Sequence, residues 1–386
     1  MNIRLFLIIF FIFSVGFYTI KAQDISFVDS VHVSAPKKSF FQKVYSYFDE
    51  SNDEKRDKKF DVSFIGGPHF SNDTKFGIGL VASGLYRLDR NDYTLPPSDI
   101  SLYSDVTTSG SFAIGFEGNT IFPKNKYRLN FDLFFSSLPS KYWGIGYDKG
   151  KHQKQFSKYT QQQIQMKVDF LKHVTNNLYL GVTFTAQDLK GVSVDDWNYF
   201  EGLRRHNTAI GGGLILSYDS RDFIPNPYKG VYIKLEQNFY PEFLGSTQYF
   251  NRTEFIARYY KKLWNTGVLA FDFQGIFNNG DVPWSMVAQM GSSRQMRGYY
   301  KGQYRDEKLL QTQVELRQKI YGRSGAVIWA GAGNVFPAFS DFEWRHTLPT
   351  FGIGYRWEFK NRVNVRLDYG IGKGQTSFYF NINEAF

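Results

Sequence analysis

From Phe60 to Phe386 the chain repeats stretches of about ten residues in which apolar and polar side chains alternate. Tyr127, Leu129, Phe131, Leu133 and Phe135 share one parity, and Arg128, Asn130 and Asp132 share the other. Ile164, Met166, Val168 and Phe170 oppose Gln163, Gln165, Lys167 and Asp169. Phe351, Ile353, Tyr355, Trp357 and Phe359 alternate with Gly352, Gly354, Arg356 and Glu358. Val363, Val365, Leu367 and Tyr369 then alternate with Asn364, Arg366 and Asp368. A period of two is that of a strand, whereas a helix would scatter these residues around its circumference. One greasy face and one charged face suit a strand with lipid on one side and a wet lumen on the other. A soluble sandwich or propeller would place one strand face in a dry core, where rows of Arg, Lys, Asp and Gln are costly.

The alternation predicts strands near 60–70, 75–88, 101–119, 125–136, 158–172, 177–189, 207–219, 229–240, 248–262, 265–277, 284–291, 307–320, 325–336, 348–359, 362–371 and 376–386. The expected fold is all-β: a transmembrane antiparallel β-barrel of about 16 strands over 60–386, preceded by a short N-terminal periplasmic segment. Two connections look long, Leu88 to Ser101 and Leu138 to Tyr159, and both are expected to face outside.

Ahead of the strands, Arg4 followed by the apolar run Leu5 to Phe13 reads as an export signal over 1–22, with cleavage near Ala22 and Gln23. The competing reading, a membrane anchor, is interrupted by Ser14, Gly16 and Thr19. In 23–59, Phe41, Val44, Tyr45 and Phe48 have the spacing of one short amphipathic helix, followed by a charged linker over 49–59; a disordered tail is the alternative. The mean hydropathy of -0.38 excludes a bundle of membrane helices. The aromatic fraction of 19% fits the girdles of a barrel in lipid. Cysteine is absent, which decides little. The net charge of +10 is scattered rather than gathered into a patch, which points to outer-membrane lipid head groups and away from nucleic acid.

Two segments stand out from the alternation. Tyr218 to Gly230 packs Asp219, Arg221, Asp222, Pro227 and Gly230 into a tight turn between strands. Gln295-Met296-Arg297-Gly298-Tyr299 lies in the loop expected after the eleventh strand, a charged tip able to fold back into a wet lumen. In this order and separation the two segments resemble the D-x-R-D...P...G hairpin and the V-R-G-F/Y loop of the BamA/TamA-like bacterial surface antigen superfamily of outer-membrane barrels. Gly352 to Trp357, Arg366 to Gly370 and the last aromatic, Phe386, are similar to that family's closing strands. The family commonly has F-x-D-x-G on the strand facing the loop, where an acid receives the arginine. Here Trp329-Ala330-Gly331-Ala332-Gly333 puts Gly331 in its place. Arg297 is therefore expected to pair with Glu315 or Asp368, both on inward faces, or to remain solvated by lumen water. Members usually carry POTRA modules or an enzymatic domain before the barrel. Residues 23–59 are too short for either, so the expectation is a member without POTRA domains.

The first strand contains Gly66-Gly67-Pro68, where proline cannot donate a rung and glycines weaken pairing. With Phe386 at the other end, this marks a candidate seam. The alternative is that Pro68 only ends a strand at the membrane surface. The resemblance implies a role in outer-membrane biogenesis, assisting insertion or translocation of protein or lipid through that seam. The other class is a non-catalytic pore or a structural partner of a larger complex, whether with outer-membrane or periplasmic proteins or with its own copies. An enzyme is not expected: His32, His69, His152, His173, His206 and His346 are dispersed, no H-E-x-x-H or G-x-S-x-G occurs, and Ser292 and Ser293 read as loop residues. No cofactor or metal site is indicated.

Overall fold

The computed structural model describes residues 60–71, 75–89, 91–92 and 95–386. The export signal over 1–22 and the segment over 23–59 lie outside the described residues. Sixteen strands form one antiparallel ladder in chain order. They are β1 (Phe60–Ser71), β2 (Lys75–Tyr86), β3 (Ser98–Thr107), β4 (Phe112–Ile121), β5 (Tyr127–Tyr142), β6 (Ser157–Thr175), β7 (Leu178–Val192), β8 (His206–Asp219), β9 (Gly230–Tyr240), β10 (Phe250–Trp264), β11 (Gly267–Gly280), β14 (Lys308–Tyr321), β15 (Ser324–Phe336), β16 (Leu348–Lys360), β17 (Val363–Gly372) and β18 (Gln375–Ile382). Between β11 and β14 the loop 281–307 carries its own two-residue pairing, β12 (Ala288–Gln289) with β13 (Arg305–Asp306).

The molecule is inside out relative to a soluble protein. Phe64, Phe76, Leu214 and Ile353 are each more than 60% exposed, whereas Glu236, Asp272, Arg297, Glu315 and Asp368 are fully buried. Apolar parities form the outer wall and charged parities line the bore. Along β7 the outward residues Leu178, Leu180, Val182, Phe184 and Ala186 make an apolar stripe. For a strand tilted by ~40° that stripe is roughly 20 Å tall, close to the band such barrels present to lipid. Tyr218, Tyr259, Trp264, Tyr321 and Tyr355 mark the end of this wall that carries the shortest turns. Strands from the two ends of the ladder come near each other: Leu85 of β2 and Ile382 of β18 both pack on a cluster of Phe359, Val363 and Val365 from β16 and β17.

The strand count matches expectation through two offsetting differences. The stretch 101–119 is two strands, because Gly110 at φ +78° and the 107–111 hydrogen bonds make a hairpin that the continuing alternation hides. The stretch 284–291 is not wall at all: Trp284, Met286, Val287, Ala288 and Met290 are buried inside the bore. The last strand stops at Ile382 rather than reaching Phe386. The two long connections also face opposite ends. In an up-and-down ladder, the connection after β2 and the connection after β5 emerge on opposite sides, so 87–97 shares its end with the short turns 176–177 and 265–266. The long loops 143–156, 193–205, 281–307 and 337–347 share the other end.

Candidate functional site

The loop 281–307 folds down into the bore and is seated there residue by residue. Its upper part is an aromatic cap in which Trp284 and Met286 pack with Tyr142, Tyr159, Phe200 and Phe250 from the wall and neighbouring loops. Below it Met290, Met296, Tyr299 and Tyr304 pack on Leu309, Val335 and Leu348. Burial of that apolar surface supplies the drive for folding inward. At the tip the hydrogen bonds take over. Gly298 N donates to Tyr379 Oη at 3.0 Å, Tyr299 Oη donates to Pro349 O at 2.6 Å, and Tyr300 N donates to Gln375 Oε1 at 3.0 Å. Thr350 Oγ1 donates to Arg297 O. Gly298 has φ +110°, and a Cβ there would lie 2.7 Å from Ile371 C and 2.8 Å from Gly372 N. The reciprocal position is equally tight: a Cβ on Gly370 would sit 2.6 Å from both Arg297 C and Gly298 N. Glycine on both sides is what lets the loop backbone touch β17.

Arg297 then enters a charge cluster closed to solvent. Its Nη1 donates to Asp368 at 2.7 Å and its Nη2 to Glu315 at 2.5 Å, while its guanidinium lies 3.6 Å from the Trp329 ring centroid. Both expected partners are thus engaged at once. Three further arginines share the same acids. Arg317 reaches Glu315 at 2.8 Å, Arg356 reaches Asp368 at 2.6 Å and Glu384 at 2.8 Å, and Arg366 reaches Asp368 at 3.0 Å. Arg366 also donates to Ser293 O at 2.7 Å, which ties the cluster back to the loop. Four guanidiniums against three side-chain carboxylates keep the interior nearly neutral, the condition under which buried charges are tolerable. Arg356, Arg366 and Glu384 were not singled out from the sequence. Their signal was present, since Arg356 and Arg366 lie on the same inward parities as Asp368 and its neighbours.

The hairpin segment is built around two acids. Asp219 accepts from Arg128 at 2.7 Å and from Arg221 Nε at 2.9 Å, with the two guanidiniums lying 4.2 Å from the rings of Tyr179 and Tyr232. Asp222 accepts from Tyr228 N at 3.0 Å and from Arg362 Nη2 at 2.9 Å. Pro227 is buried, and Gly230 at φ +115° closes the turn where a Cβ would lie 2.4 Å from Ser220 O. Loop motif and hairpin motif do not touch directly in these contacts; the hairpin segment reaches the cluster through the Pro225 carbonyl, which accepts from Glu384 N at 3.3 Å.

Of the candidate seam residues, Gly66, Gly67 and Pro68 lie within β1, and the strand runs on past Pro68 to Ser71, so the proline does not end it. Phe386 is not at the seam. It is buried with Tyr260, Ala270 and Ala385 inside the bore, because the chain turns inward at Asn383, φ +66°. At the upper part of the loop, burial pushes the Asp306 carboxyl up to about 6.

The Omp85 superfamily domain model matches residues 100–386, most of the ladder described above. The chain belongs to the Omp85 superfamily. Among solved structures, this Omp85 barrel is similar to BamA from Haemophilus ducreyi lacking POTRA domains 1–3, at TM-score 0.52 and 12% identity over 84% of this chain and 70% of that one. It is similar to CdiB from Escherichia coli at TM-score 0.55 and 10% identity, over 84% of this chain and 62% of that one. CdiB from Acinetobacter baumannii gives TM-score 0.52 and 11% identity over 85% and 60%. The chain therefore spans about three fifths of either CdiB, and at these identities the likeness is one of fold. No curated protein matches the chain.

Proposed function

We propose that this Omp85 barrel, exported to a bacterial outer membrane, assists insertion or translocation of protein or lipid through a weak seam between β1 and β18. The observation that carries the reading is a mismatch of strands. β1 has twelve residues and β18 has eight, so at least a third of the β1 edge has no counterpart on β18. Within β1, Gly66 and Gly67 carry no side chain to pack and Pro68 has no N–H to donate. A ladder fails first where its rungs are fewest, and an unpaired edge is a template for an incoming strand. The passive-pore reading is disfavoured by the bore itself, which holds an aromatic cap at one end and a buried ion cluster in the middle. No part of this reading calls for catalysis. Its partners are outer-membrane lipids, with other outer-membrane or periplasmic proteins or a second copy as the candidates for protein contacts.

Because the chain has no cysteine, pairs of cysteines placed one on β1 and one on β18 can lock the seam reversibly. The locked protein in vesicles is expected to lose its ability to accelerate assembly of an added outer-membrane barrel, and a reductant is expected to restore it. Equal acceleration by locked and reduced protein would remove the seam. Crosslinking and affinity isolation from native membranes identify the partner.

A further inference from the structure

Beyond β18 the chain leaves the wall and crosses the bore. Asn383 N donates to Asn364 O at 2.8 Å, and Glu384 N donates to Pro225 O at 3.3 Å. The Glu384 carboxylate accepts from Arg356 at 2.8 Å and Asn364 at 2.7 Å and lies 3.7 Å from Arg317. Phe386 ends among Tyr260 of β10 and Ala270 of β11, and Arg317 donates to its carbonyl oxygen at 2.7 Å. The segment 383–386 thus spans from the last strand to the tenth and eleventh of sixteen.

The hairpin segment 220–229 makes a second crossing of the same mouth. It joins β8 to β9, yet Asp222 and the carbonyl of Asn226 accept from Arg362, at 2.9 and 2.6 Å, in the turn between β16 and β17 six ladder positions away. Arg362 lies 4.1 Å from the Tyr228 ring and 4.8 Å from the Phe223 ring. Pro225 belongs to this segment, so the two crossings touch. Above them is a cavity of about 260 Å³, walled on one side by Ile224, Pro225 and 383–386 and on the other by strands β3 to β6.

Five acidic side chains, Asp99, Glu117, Asp132, Asp169 and Glu384, line the cavity against four basic ones. Lys167, Arg221, Arg258 and Arg294 line it, and each is ion-paired, with Glu236, Asp219, Asp272 and Glu117 respectively, Glu236 being shared with Lys234 and Asp219 with Arg128. Asp99 accepts from Asn119 at 3.0 Å and Asp169 from Thr183 at 2.7 Å, and among the described residues neither these two nor Asp132 has an ion-pair partner.

We propose that segments 383–386 and 220–229 form a latch closing the short-turn mouth of the bore over this acidic cavity, and that releasing the latch admits small cations while the wall stays intact. Each crossing is held by a few ion pairs and single backbone hydrogen bonds, whereas the wall strands β2 to β17 are each paired along both edges, so the latch is the less stable unit. Release is also felt by the loop, since Arg317 and Arg356 hold Glu384 of the latch together with Glu315 and Asp368 beneath Arg297. The latch does not depend on the seam: its opening leaves β1 and β18 where they are.

The absence of native cysteine makes Asn130→Cys, in the cavity lining, a single reporter. Its rate of reaction with a positively charged and a negatively charged methanethiosulfonate is measured in the full chain in nanodiscs. Arg362→Asp, or Glu384→Ala, is expected to raise the rate with the cationic reagent by about tenfold or more, since each removes two charge-assisted hydrogen bonds, and to raise the anionic rate less. Asp222→Arg combined with Arg362→Asp is expected to bring the rate back towards the parent. Phe386→Ala serves as a milder variant if the others fold poorly, with folding checked by heat-dependent gel mobility. Unchanged rates in folded variants, or equal acceleration of both reagents without rescue by the swapped pair, overturn the latch.

Discussion

Removing Arg297 should harm the barrel less than removing either acid it binds. Arg297→Ala forfeits two charge-assisted hydrogen bonds, at 2.5 and 2.7 Å, and the contact with Trp329. Taken alone these are worth about 1.5–3 kcal/mol per hydrogen bond and about 2 kcal/mol for the ring. The acids are not left bare, however. Glu315 keeps Arg317, Asp368 keeps Arg356 and Arg366, and the cluster becomes three guanidiniums against three carboxylates. A balanced remainder can re-pair, so the net loss should be about 2–4 kcal/mol, felt mainly as loosening of the loop. Asp368→Asn does the opposite. It leaves four buried guanidiniums facing two carboxylates, and an uncompensated buried charge costs about 3–5 kcal/mol on top of the weakened hydrogen bonds. Glu315→Gln creates the same imbalance. Urea unfolding of the barrel in lipid vesicles, followed by tryptophan fluorescence and extrapolated linearly, ranks the variants. If Arg297→Ala proves the most destabilising of the three, charge balance is not what governs this cluster.

The remaining predictions concern how the loop is seated. Gly370→Ala should drive a methyl into the backbone of Arg297 and Gly298, cost about 1–3 kcal/mol and abolish hydrogen-exchange protection at 296–300; unaltered protection there would refute the close approach. Asp306 has its carboxyl raised from 3.8 to about 6 by burial, so the docked loop binds its proton more tightly than the open one. That contribution is complete below about pH 4 and lost as pH rises through 6. Asp306→Asn should therefore match the parent at pH 4 and stabilise the docked loop by about 1–3 kcal/mol at pH 7.5, read from melting midpoints at the two pH values. A gain at pH 4 equal to that at pH 7.5 would show that the charge is not the cause.

The period-two alternation was enough to read the wall, because lipid outside and water inside impose opposite chemistry on adjacent residues. It misled where that contrast fails. Thr107 to Ser111 is a hairpin made of small polar residues and a glycine, without a proline, and the apolar positions Val106 and Phe112 on either side keep the same parity, so β3 and β4 read as one strand. Trp284 to Met290 alternates no less than a wall strand, but its apolar residues are buried in the bore, Trp284 and Met286 within the aromatic cap and Ala288 and Met290 below it. Alternation reports which face is apolar, not what covers it. Phe386 shows the same limit: an aromatic after an alternating stretch is compatible with either side of the wall, and only the turn at Asn383 decides for the inside.

The loop cluster was legible for a different reason. Once Arg297 is placed in the bore, the candidates for its partners are acids of inward parity on strands the loop can reach, and Glu315 and Asp368 meet that condition. Gly331, at the position where the family resemblance leads one to look for an acid, could not have served. A Cβ there would lie 2.5 Å from Thr312 O, 2.7 Å from Gln313 Cγ and 3.1 Å from Thr350 Cγ2, so the neighbouring strands already occupy the space. Thr350 meanwhile donates to the carbonyl of Arg297, and Gln313 donates to that of Arg294 at 3.0 Å. The side chains that exclude an acid from β15 are thus the ones that hold the loop backbone, and the negative charge is supplied from β14 and β17 instead. Restoring an acid alone, as Gly331→Asp, should therefore loosen the loop rather than strengthen it, and hydrogen exchange at 296–300 faster than in the parent is the result expected. Slower exchange would show that the wall can yield and that the cluster accepts a third acid from β15.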